Sequence, residues 1–286
     1  MNQTKQRGSM LSIKLVLFLY HTFGYRFIYY FMYPVTFFYF LIANNVKEAL
    51  REYYSHLNIP FTAHLYFEHL RMFAVCMVDR FISKIHPEKY AFEYKNTIMP
   101  IEKMSSGVIL LHSHFGGWAS SSMGTHVKNK INIVMQEAMF SEIKEIENNL
   151  EVQSHIHLID VNKGNIFVSI EVANALMNEE IVAMMADRIA SPSAEARVSF
   201  LGEDAVFNKN PFQVAYKTNK PIVIYFIIWV GIQRYKVEYI EIDMNQDIAE
   251  SEAILDGLKS YITKYEEMIR LYPTQWFNLY NFWEKK

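Results

Sequence analysis

The chain has 286 residues, of which 51% are hydrophobic and 20% are charged, and this composition excludes a disordered or low-complexity protein. A single cysteine, Cys76, excludes a disulfide framework and a multi-cysteine zinc site. The formal net charge of −2 gives no basic signature for binding nucleic acid.

The first 46 residues differ from the rest of the chain in charge. They contain four basic side chains and no acidic one, whereas the remaining 240 residues contain 24 basic and 30 acidic side chains. The stretch Phe27–Val46 has twenty consecutive residues without a charge. A helix needs about 20 residues to cross a bilayer core. However, Pro34 interrupts this stretch, and its tyrosines favour the interface between membrane and water.

We therefore predict that Met10–Asn45 forms a membrane-associated helical hairpin, monotopic or shallowly inserted, with its cationic side chains toward anionic headgroups. Three alternatives remain for this segment: one transmembrane span, a pair of helices in a protein core, or a dimer interface. The predicted division of the chain is a membrane-associated N-terminal part, residues 1–46, followed by one α/β domain, residues 47–286.

The rest of the chain alternates helical and strand patterns. Helical patterns cover Val46–Leu57, Ala63–Ile82, Ala119–Val127, Ser141–Leu150, Ile166–Asn178, Pro211–Thr218 and Asp247–Tyr272. Short apolar runs between turn residues predict strands at Gly107–Ser113, Ile131–Gln136, Ile156–Val161, Ile181–Ala186, Pro221–Trp229 and Tyr235–Ile242. This alternation predicts an α/β fold with a mixed, largely parallel sheet flanked by helices, in which the last two strands form an antiparallel hairpin.

The segment Gly107–Gly124, GVILLHSHFGGWASSSMG, is the main candidate for a functional site. Its buried strand leads to His114, and ligands of open α/β sheets bind beyond the carboxyl ends of the strands. A histidine there can act as a general base at neutral pH, although it can also be a hydrogen-bonded structural residue. Gly116 and Gly117 allow close backbone approach, and N–H groups at the following helix start can hold an oxyanion or a phosphate.

Several stretches, in order along the chain, resemble the lysophospholipid acyltransferase superfamily, and within it the branch of the lipid A late (lauroyl/myristoyl) acyltransferases. The segment beginning at His114 resembles the family's H-x-G-N-W/L-E block. Met184–Ile189 (MMADRI) resembles a strand that ends in a G/A-D-R element, and Val198–Val223 resembles the F-L-G-x-x-A-x-F-x-x-G-P block. Tyr272–Trp283 (YPTQWFNLYNFW) resembles the family's P-x-x-W-F-N-F-F-x-F-W ending, and the aromatic N-terminal segment resembles its membrane-proximal start.

The resemblance implies a membrane-associated acyltransferase of lipid biosynthesis, at the cytoplasmic face of the bacterial inner membrane. It implies transfer of a fatty acyl group from acyl carrier protein or coenzyme A to a hydroxyl group of a lipid or glycolipid acceptor. His114 is then the general base that deprotonates the acceptor, and backbone N–H groups or an arginine stabilise the oxyanion. The thioester is a co-substrate, and no further cofactor is expected.

The chain departs from the family pattern at the position where a carboxylate orients the histidine. Ala119 occupies that position, and Gly117 replaces the usual Asn. In a comparable His–Asp pair, loss of the carboxylate costs about four orders of magnitude in turnover. Three interpretations follow: Asp187 substitutes for the missing acid, one of the serines at positions 120–122 holds the imidazole more weakly, or the protein is a degenerate homologue that binds lipid or acyl carrier without turnover.

Asp187 and Arg188 end the apolar run IVAMMA, where a charged pair is costly to bury unless it is paired or functional. We expect Asp187 to be catalytic with His114 and Arg188 to bind substrate; a structural ion pair is the alternative. The other predicted substrate-binding residues are Gly116, Gly117, Trp118, Arg197 and Lys209, with ordinary structural or solvated positions as the alternative. No metal site is predicted, because a His112–His114 pair lacks any supporting ligand spacing such as H-E-x-x-H.

Overall fold

Short aliphatic runs form the centre of a seven-stranded sheet in the computed structural model, which describes residues 10–95, 106–118, 129–135, 156–189 and 191–283. The strands are β1 (Ala91–Lys95), β2 (Val108–His112), β3 (Ile131–Met135), β4 (Ile156–Asp160), β5 (Ile181–Met185), β6 (Glu195–Phe200), β7 (Glu203–Asn208), β8 (Ile222–Gly231) and β9 (Arg234–Ile242). The sheet order is β1-β9-β8-β2-β5-β3-β4, and β6 and β7 form a separate antiparallel pair.

The sheet is mixed and largely parallel. Strands β8, β2, β5, β3 and β4 run in the same direction, while β9 is antiparallel to β8 and parallel to β1. All five residues of β2 are buried, because this strand lies inside the sheet and is covered on both faces. The predicted sheet and the predicted antiparallel hairpin are therefore confirmed, and each of the six predicted strands is present.

Helices cover the two faces of the sheet. They are α1 (Met10–Ile42), α2 (Asn44–His56), α3 (Ala63–Ile85), α4 (Asn165–Met177), α5 (Asn210–Thr218) and α6 (Glu250–Leu271). Buried side chains of α1 pack with one face, and those of α2, α4, α5 and α6 pack with the other, while α3 contributes buried side chains to both. The predicted helices over 119–127 and 141–150 lie outside the described residues.

The N-terminal helices form a bent pair. Helix α1 is kinked at Gly24, whose φ of 79° lies in the left-handed region that favours glycine. Two helical segments, 12–42 and 44–56, meet at an angle of 90°. Within the described part of the chain, no single helix meets the length and hydropathy expected of a membrane span, whereas this bent pair does so jointly. The N-terminal helices expected within Met10–Asn45 are thus observed as a bent pair and not as a closed hairpin. Helix α1 fills nearly all of this segment, the break lies at Ala43, and α2 supplies the second helix beyond it.

Three strands were not anticipated. Strand β1 has alternating exposed and half-buried residues, and it lies at the edge of the sheet. The antiparallel pair β6–β7 carries charged residues at exposed positions, including Glu195, Arg197 and Glu203, which conceal its short apolar alternation. These strands lack the continuous apolar run that marks the central strands, and periodicity alone does not reveal them.

Candidate active site

The strand register brings His114 and Asp187 together. Strands β2 and β5 are parallel neighbours, and His112 of β2 pairs with Met185 of β5. Two residues beyond each strand, the backbone N–H of His114 donates a hydrogen bond to Asp187 Oδ2 (2.8 Å). The imidazole Nδ1 lies 3.0 Å from the same carboxylate oxygen. The structure therefore holds both the backbone and the ring of His114 on one carboxylate.

This contact orients the imidazole. A carboxylate accepts hydrogen bonds, so Nδ1 carries the proton and Nε2 is the nitrogen that can accept one from a substrate. The Asp187 side chain is fully buried, whereas the His114 side chain keeps 16% of its surface exposed. The Tyr265 hydroxyl lies 3.4 Å from Asp187 Oδ2, on the side of helix α6. An imidazole held in this way by a carboxylate has the geometry that general base catalysis uses.

The electrostatics of the pair keep His114 neutral and Asp187 ionised. Burial lowers the pKa of His114, and the charge of Asp187 opposes this effect only in part. Burial by itself raises the pKa of Asp187, but the charges of His114 and Arg188 and the two hydrogen bonds from His114 outweigh it and hold this pKa well below its usual value. At neutral pH, His114 is therefore an unprotonated imidazole beside a carboxylate, as general base catalysis requires.

Arg188 is held beside this pair by the C-terminal segment of the chain. Its Nη1 donates to the Asn278 side-chain oxygen (2.8 Å), the Tyr280 hydroxyl (3.0 Å) and the backbone oxygen of Asp187 (3.0 Å). The guanidinium also lies over the Tyr280 ring, 4.7 Å from its centroid. Its Nη1 is 3.9 Å from Asp187 Oδ2, and 31% of the side chain is exposed. Arg188 thus places a positive charge at the edge of the candidate site.

Two glycines shape the turn after His114. Gly116 has a φ of 55°, and a Cβ there would lie 2.1 Å from the backbone oxygen of Ile227. A Cβ at Gly117 would lie 2.8 Å from the Tyr235 ring. The N–H of Gly116 donates to the Gln275 backbone oxygen (2.8 Å), and that of Gly117 donates to the Ile227 oxygen (2.6 Å). These glycines allow the turn to pack closely on β8 and β9, and their N–H groups are already engaged.

Trp118 and the C-terminal segment enclose the histidine. The Trp118 ring centroid lies 4.7 Å from that of His114. The backbone oxygen of His114 accepts a hydrogen bond from the Phe277 N–H (2.8 Å), and Phe115 forms a β-bridge with the fully buried Trp276. The aromatic C-terminal segment therefore packs directly along the candidate site.

The two remaining predicted binding residues, Lys209 and Arg197, belong to other elements than His114 and Asp187. Lys209 lies next to Asn208, whose N–H donates to the Ala186 oxygen (2.8 Å), just before Asp187 in the chain. Arg197 is exposed on β6. Neither is a hydrogen-bond or ion-pair partner of His114 or Asp187 in the described ranges. Ala119 and the serines at 120–122 lie outside the described residues.

The sequence did not reveal the residues of α6 and of the C-terminal segment that contact Asp187 and Arg188. Tyr265, Asn278 and Tyr280 had no assigned role, although the last two belong to the C-terminal motif YPTQWFNLYNFW. The motif itself was the available signal, because Asn278 and Tyr280 are two of its polar members near the buried aromatic residues Trp276 and Phe277. His112 is buried, its ring lies near Tyr225, and its pKa is lowered by burial to about 4. Among the described residues, no group of three His, Cys, Asp or Glu side chains is arranged to hold a metal ion.

A comparison with models of protein families identifies the family. A family model described as "Bacterial lipid A biosynthesis acyltransferase" matches residues 69–285, which is more than half of the chain. Among solved structures, the 1-acyl-sn-glycerophosphate (LPA) acyltransferase PlsC from Thermotoga maritima matches with 11% identity and a TM-score of 0.40, over 83% of this chain and 97% of that one. No curated protein matches the sequence.

Proposed function

The chain belongs to the bacterial lipid A biosynthesis acyltransferase family, and from this premise we propose that His114 and Asp187 form its catalytic pair. The proposed reaction transfers a fatty acyl group from acyl carrier protein or coenzyme A to a hydroxyl group of a lipid or glycolipid acceptor. The observation that supports this function is the 3.0 Å contact between His114 Nδ1 and Asp187 Oδ2, because it restores the orienting acid that Ala119 lacks.

In the proposed mechanism, His114 Nε2 takes the proton of the acceptor hydroxyl while its oxygen attacks the thioester carbonyl carbon. The imidazolium that forms is stabilised by Asp187 through the Nδ1 hydrogen bond. When the tetrahedral intermediate collapses, the carbon–sulfur bond breaks and Nε2 returns the proton to the leaving thiolate. The products are an ester and a free thiol, and His114 is again neutral.

We assign Arg188 to the binding of negative charge in this reaction. The N–H groups of Gly116 and Gly117 already donate within the protein, so they are not the donors for an oxyanion in this conformation. The hydrogen bonds that the described residues give Arg188 all use Nη1, which leaves Nη2 and Nε for a substrate. A guanidinium suits either the oxyanion or the phosphates of a phosphopantetheine carrier or acceptor headgroup. Lys209 and Arg197 are proposed to contact more distant parts of the same substrates.

We also propose that α1 seats the enzyme on the membrane, at the cytoplasmic face of the bacterial inner membrane. One stripe of this helix is buried, at Tyr25, Ile28, Met32 and Thr36. Large apolar side chains are exposed on α1, namely Leu15, Phe18, Phe23, Phe27, Tyr30, Tyr33, Phe37, Phe38, Tyr39, Leu41 and Ile42. An apolar surface of this kind is typical of a membrane contact, and a monotopic seat uses it without a spanning helix. Residues 1–46 then act as the seat, and residues 47–286 as the acyltransferase domain.

An acyl-transfer assay tests the function. Purified protein is incubated with acyl carrier protein and coenzyme A thioesters and a panel of lipid acceptors, and product formation is followed by mass spectrometry. We expect transfer by the wild type and its loss in His114→Ala. His157→Ala, at an exposed position of β4, is the matched control and should retain activity. Equal transfer by wild type and His114→Ala would remove His114 from the mechanism.

A second candidate function is binding of lipid or acyl carrier without turnover, which the alanine at position 119 favours. The two functions differ in the expected effect of Ala119→Glu. In an active enzyme Asp187 already occupies Nδ1 of His114, so a second acid brings little change or a loss. In a degenerate homologue, the same substitution raises a near-zero activity strongly.

A further inference from the structure

A buried carboxylate on helix α3 has no part in the reaction above. Asp79 is fully buried, and three tyrosine hydroxyls donate hydrogen bonds to it. The hydroxyls of Tyr25 (2.6 Å) and Tyr90 (2.8 Å) donate to Oδ1, and that of Tyr235 (2.5 Å) donates to Oδ2. The carboxylate therefore joins α1, the segment before β1, and β9 at one point.

A buried carboxylate such as Asp79 is a costly way to stabilise a fold. Burial raises the pKa of Asp79 to about 6, although the hydrogen bonds from the three tyrosines act in the opposite direction. Apolar side chains of similar volume usually serve a core at least as well as buried charged groups do. The geometric effect of the cluster is more specific, because charge-assisted hydrogen bonds fix the hydroxyl ends of three large rings.

The ring of Tyr235 is the partner that reaches the candidate active site. It stacks on Phe92, with centroids 5.7 Å apart and an interplanar angle of 20°. Its edge faces the turn after His114, where a Cβ at Gly117 would lie 2.8 Å from Cε1 and 3.1 Å from Cδ1. The hydroxyl of this ring is held by Asp79 and one of its faces is covered by Phe92. The ring therefore gives Gly117 a rigid surface to pack against.

The same turn carries the aromatic ring that covers the proposed base. Trp118 follows Gly117 directly, and its ring centroid is 4.7 Å from that of His114. Arg80, the neighbour of Asp79 on α3, places its guanidinium carbon 5.9 Å from the Trp118 ring centroid. Helix α3 thus reaches the turn at two points, through Tyr235 and through Arg80.

We propose that Asp79 is a positioning residue for the acyl-transfer site, which acts through the Tyr235 hydroxyl to fix the turn Gly116–Trp118 and with it the packing of Trp118 on His114. This inference rests on the proposed function. Through Tyr25 the same carboxylate holds α1, so the proposed membrane seat and the turn of the site share one buried anchor. A displacement of about 1 Å in such a turn is enough to slow a reaction that depends on near-attack geometry.

Two matched variants separate positioning from a merely structural role. Tyr235→Phe and Tyr90→Phe each remove one hydroxyl from the same buried carboxylate, and both rings are buried. Only Tyr235 lies against Gly117, whereas Tyr90 precedes β1. Both variants should therefore lower Tm, and only Tyr235→Phe should disturb the turn.

The readouts are kcat and KM for acyl transfer, and the rate at which diethyl pyrocarbonate modifies His114, followed by mass spectrometry in the absence of substrate. For Tyr235→Phe we expect kcat to fall about tenfold with KM nearly unchanged, and the modification rate to change about threefold or more. For Tyr90→Phe we expect both quantities to stay near those of the wild type. Unchanged values in Tyr235→Phe, or equal changes in the two variants, overturn the proposal.

The two readouts also separate this inference from the proposed function. A wild type that transfers no acyl group with any donor contradicts the function, and the modification rate of His114 then decides the positioning role alone. A wild type that is active, together with a Tyr235→Phe variant whose His114 reacts normally, contradicts only the positioning role.

Discussion

At the scale of single residues, the proposed chemistry depends on one carboxylate oxygen. Asp187 Oδ2 accepts from both the backbone N–H and the imidazole Nδ1 of His114, so the ring has little freedom to rotate away. The low pKa of Asp187 and the lowered pKa of His114 give one charged and one neutral partner at neutral pH. This is the division of roles that a general base and its orienting acid need.

Replacing Asp187 by asparagine should remove the negative charge beside His114 while preserving the shape of the side chain. An amide can present its nitrogen to Nδ1 and stabilise the wrong tautomer, and it does not stabilise the imidazolium. We expect kcat to fall by about three to four orders of magnitude, with a smaller effect on KM. Asp256→Asn, at an exposed position of α6, is the control and should keep wild-type kinetics. A loss of less than about tenfold in Asp187→Asn would contradict an orienting role.

The lowered pKa of His114 predicts the acid limb of the pH–rate profile. Only the unprotonated imidazole is active, so kcat/KM should be constant near neutral pH and fall tenfold per unit below an apparent pKa under about 6.5. The charge of Asp187 raises the pKa of His114, against the effect of burial. The residual activity of Asp187→Asn should therefore show its acid limb at a still lower pH. An acid limb above pH 7 would show that another group titrates.

At the scale of elements, the site is built where two parallel strands end and one turn begins. The register of β2 and β5 places His114 and Asp187 side by side two residues beyond the last strand pair, where the Asp187 side chain accepts from the His114 N–H. Gly116 and Gly117 let the turn lie against β8 and β9 so closely that larger residues have no room. The position of the imidazole thus depends on strand register and on the absence of two Cβ atoms.

The substitution Gly117→Ala tests whether the position of the imidazole depends on the absence of a Cβ in this turn. Its Cβ would lie 2.8 Å from Tyr235 Cε1 and 2.9 Å from Ile227 Cγ2, so the turn must move. We expect a loss of about 1–3 kcal/mol in the free energy of unfolding and a fall in kcat of about a hundredfold. Gly231→Ala is the matched control, because the nearest atoms to its Cβ would be 3.9 Å away. Equal kinetics in the two variants would show that the turn tolerates displacement.

The sequence allowed the centre of this site to be predicted, and the limits have physical reasons. Strands β2 and β5 are recognisable because buried parallel strands are continuous apolar runs, and the ends of such strands locate His114 and Asp187. The partners of Arg188 were not predictable in the same way. Asn278 and Tyr280 lie about 90 positions away, and only the tertiary path of the C-terminal segment brings them to the guanidinium.

At the scale of the whole molecule, the response of stability to pH depends less on the net charge than on the buried ionisable groups. The net charge of −2 averages a basic N-terminal segment and an acidic remainder. Inside the protein, burial lowers the pKa of His69 to about 3 and that of His112 to about 4, and it also lowers the pKa of His114. Burial instead raises the pKa of Asp79 to about 6. These four shifts, together with the lowered pKa of Asp187, make the stability of the fold depend on acid pH.

Stability should fall as the pH decreases from about 6.5 to 4. In this range the unfolded chain protonates each histidine near its ordinary pKa, whereas the folded protein keeps His69 and His112 neutral. Each proton that only the unfolded chain binds lowers the free energy of unfolding by up to about 1.4 kcal/mol per pH unit. Asp79 acts in the opposite direction, because its raised pKa gives stability that is complete below about 3.8 and is lost as the pH rises through about 6. Its effect cancels that of one histidine. Between about pH 6.5 and 4, the unfolded chain therefore still binds at least one more proton than the folded protein.

Thermal unfolding in detergent between pH 7.5 and 4.5 measures this dependence as a decrease in Tm toward acid pH. His69 gives a direct check, because its Nε2 donates to the Trp276 backbone oxygen (2.9 Å) and its Nδ1 accepts from the Tyr54 hydroxyl (2.8 Å). Protonation of Nδ1 would replace that acceptor by a second donor. His69→Gln should lower Tm at pH 7.5 because both hydrogen bonds of the ring are lost. It should also make Tm depend less steeply on pH down to 4.5, because up to one histidine proton no longer contributes. A wild-type Tm that is constant or rises toward pH 4.5 would show that the buried histidines do not control acid stability.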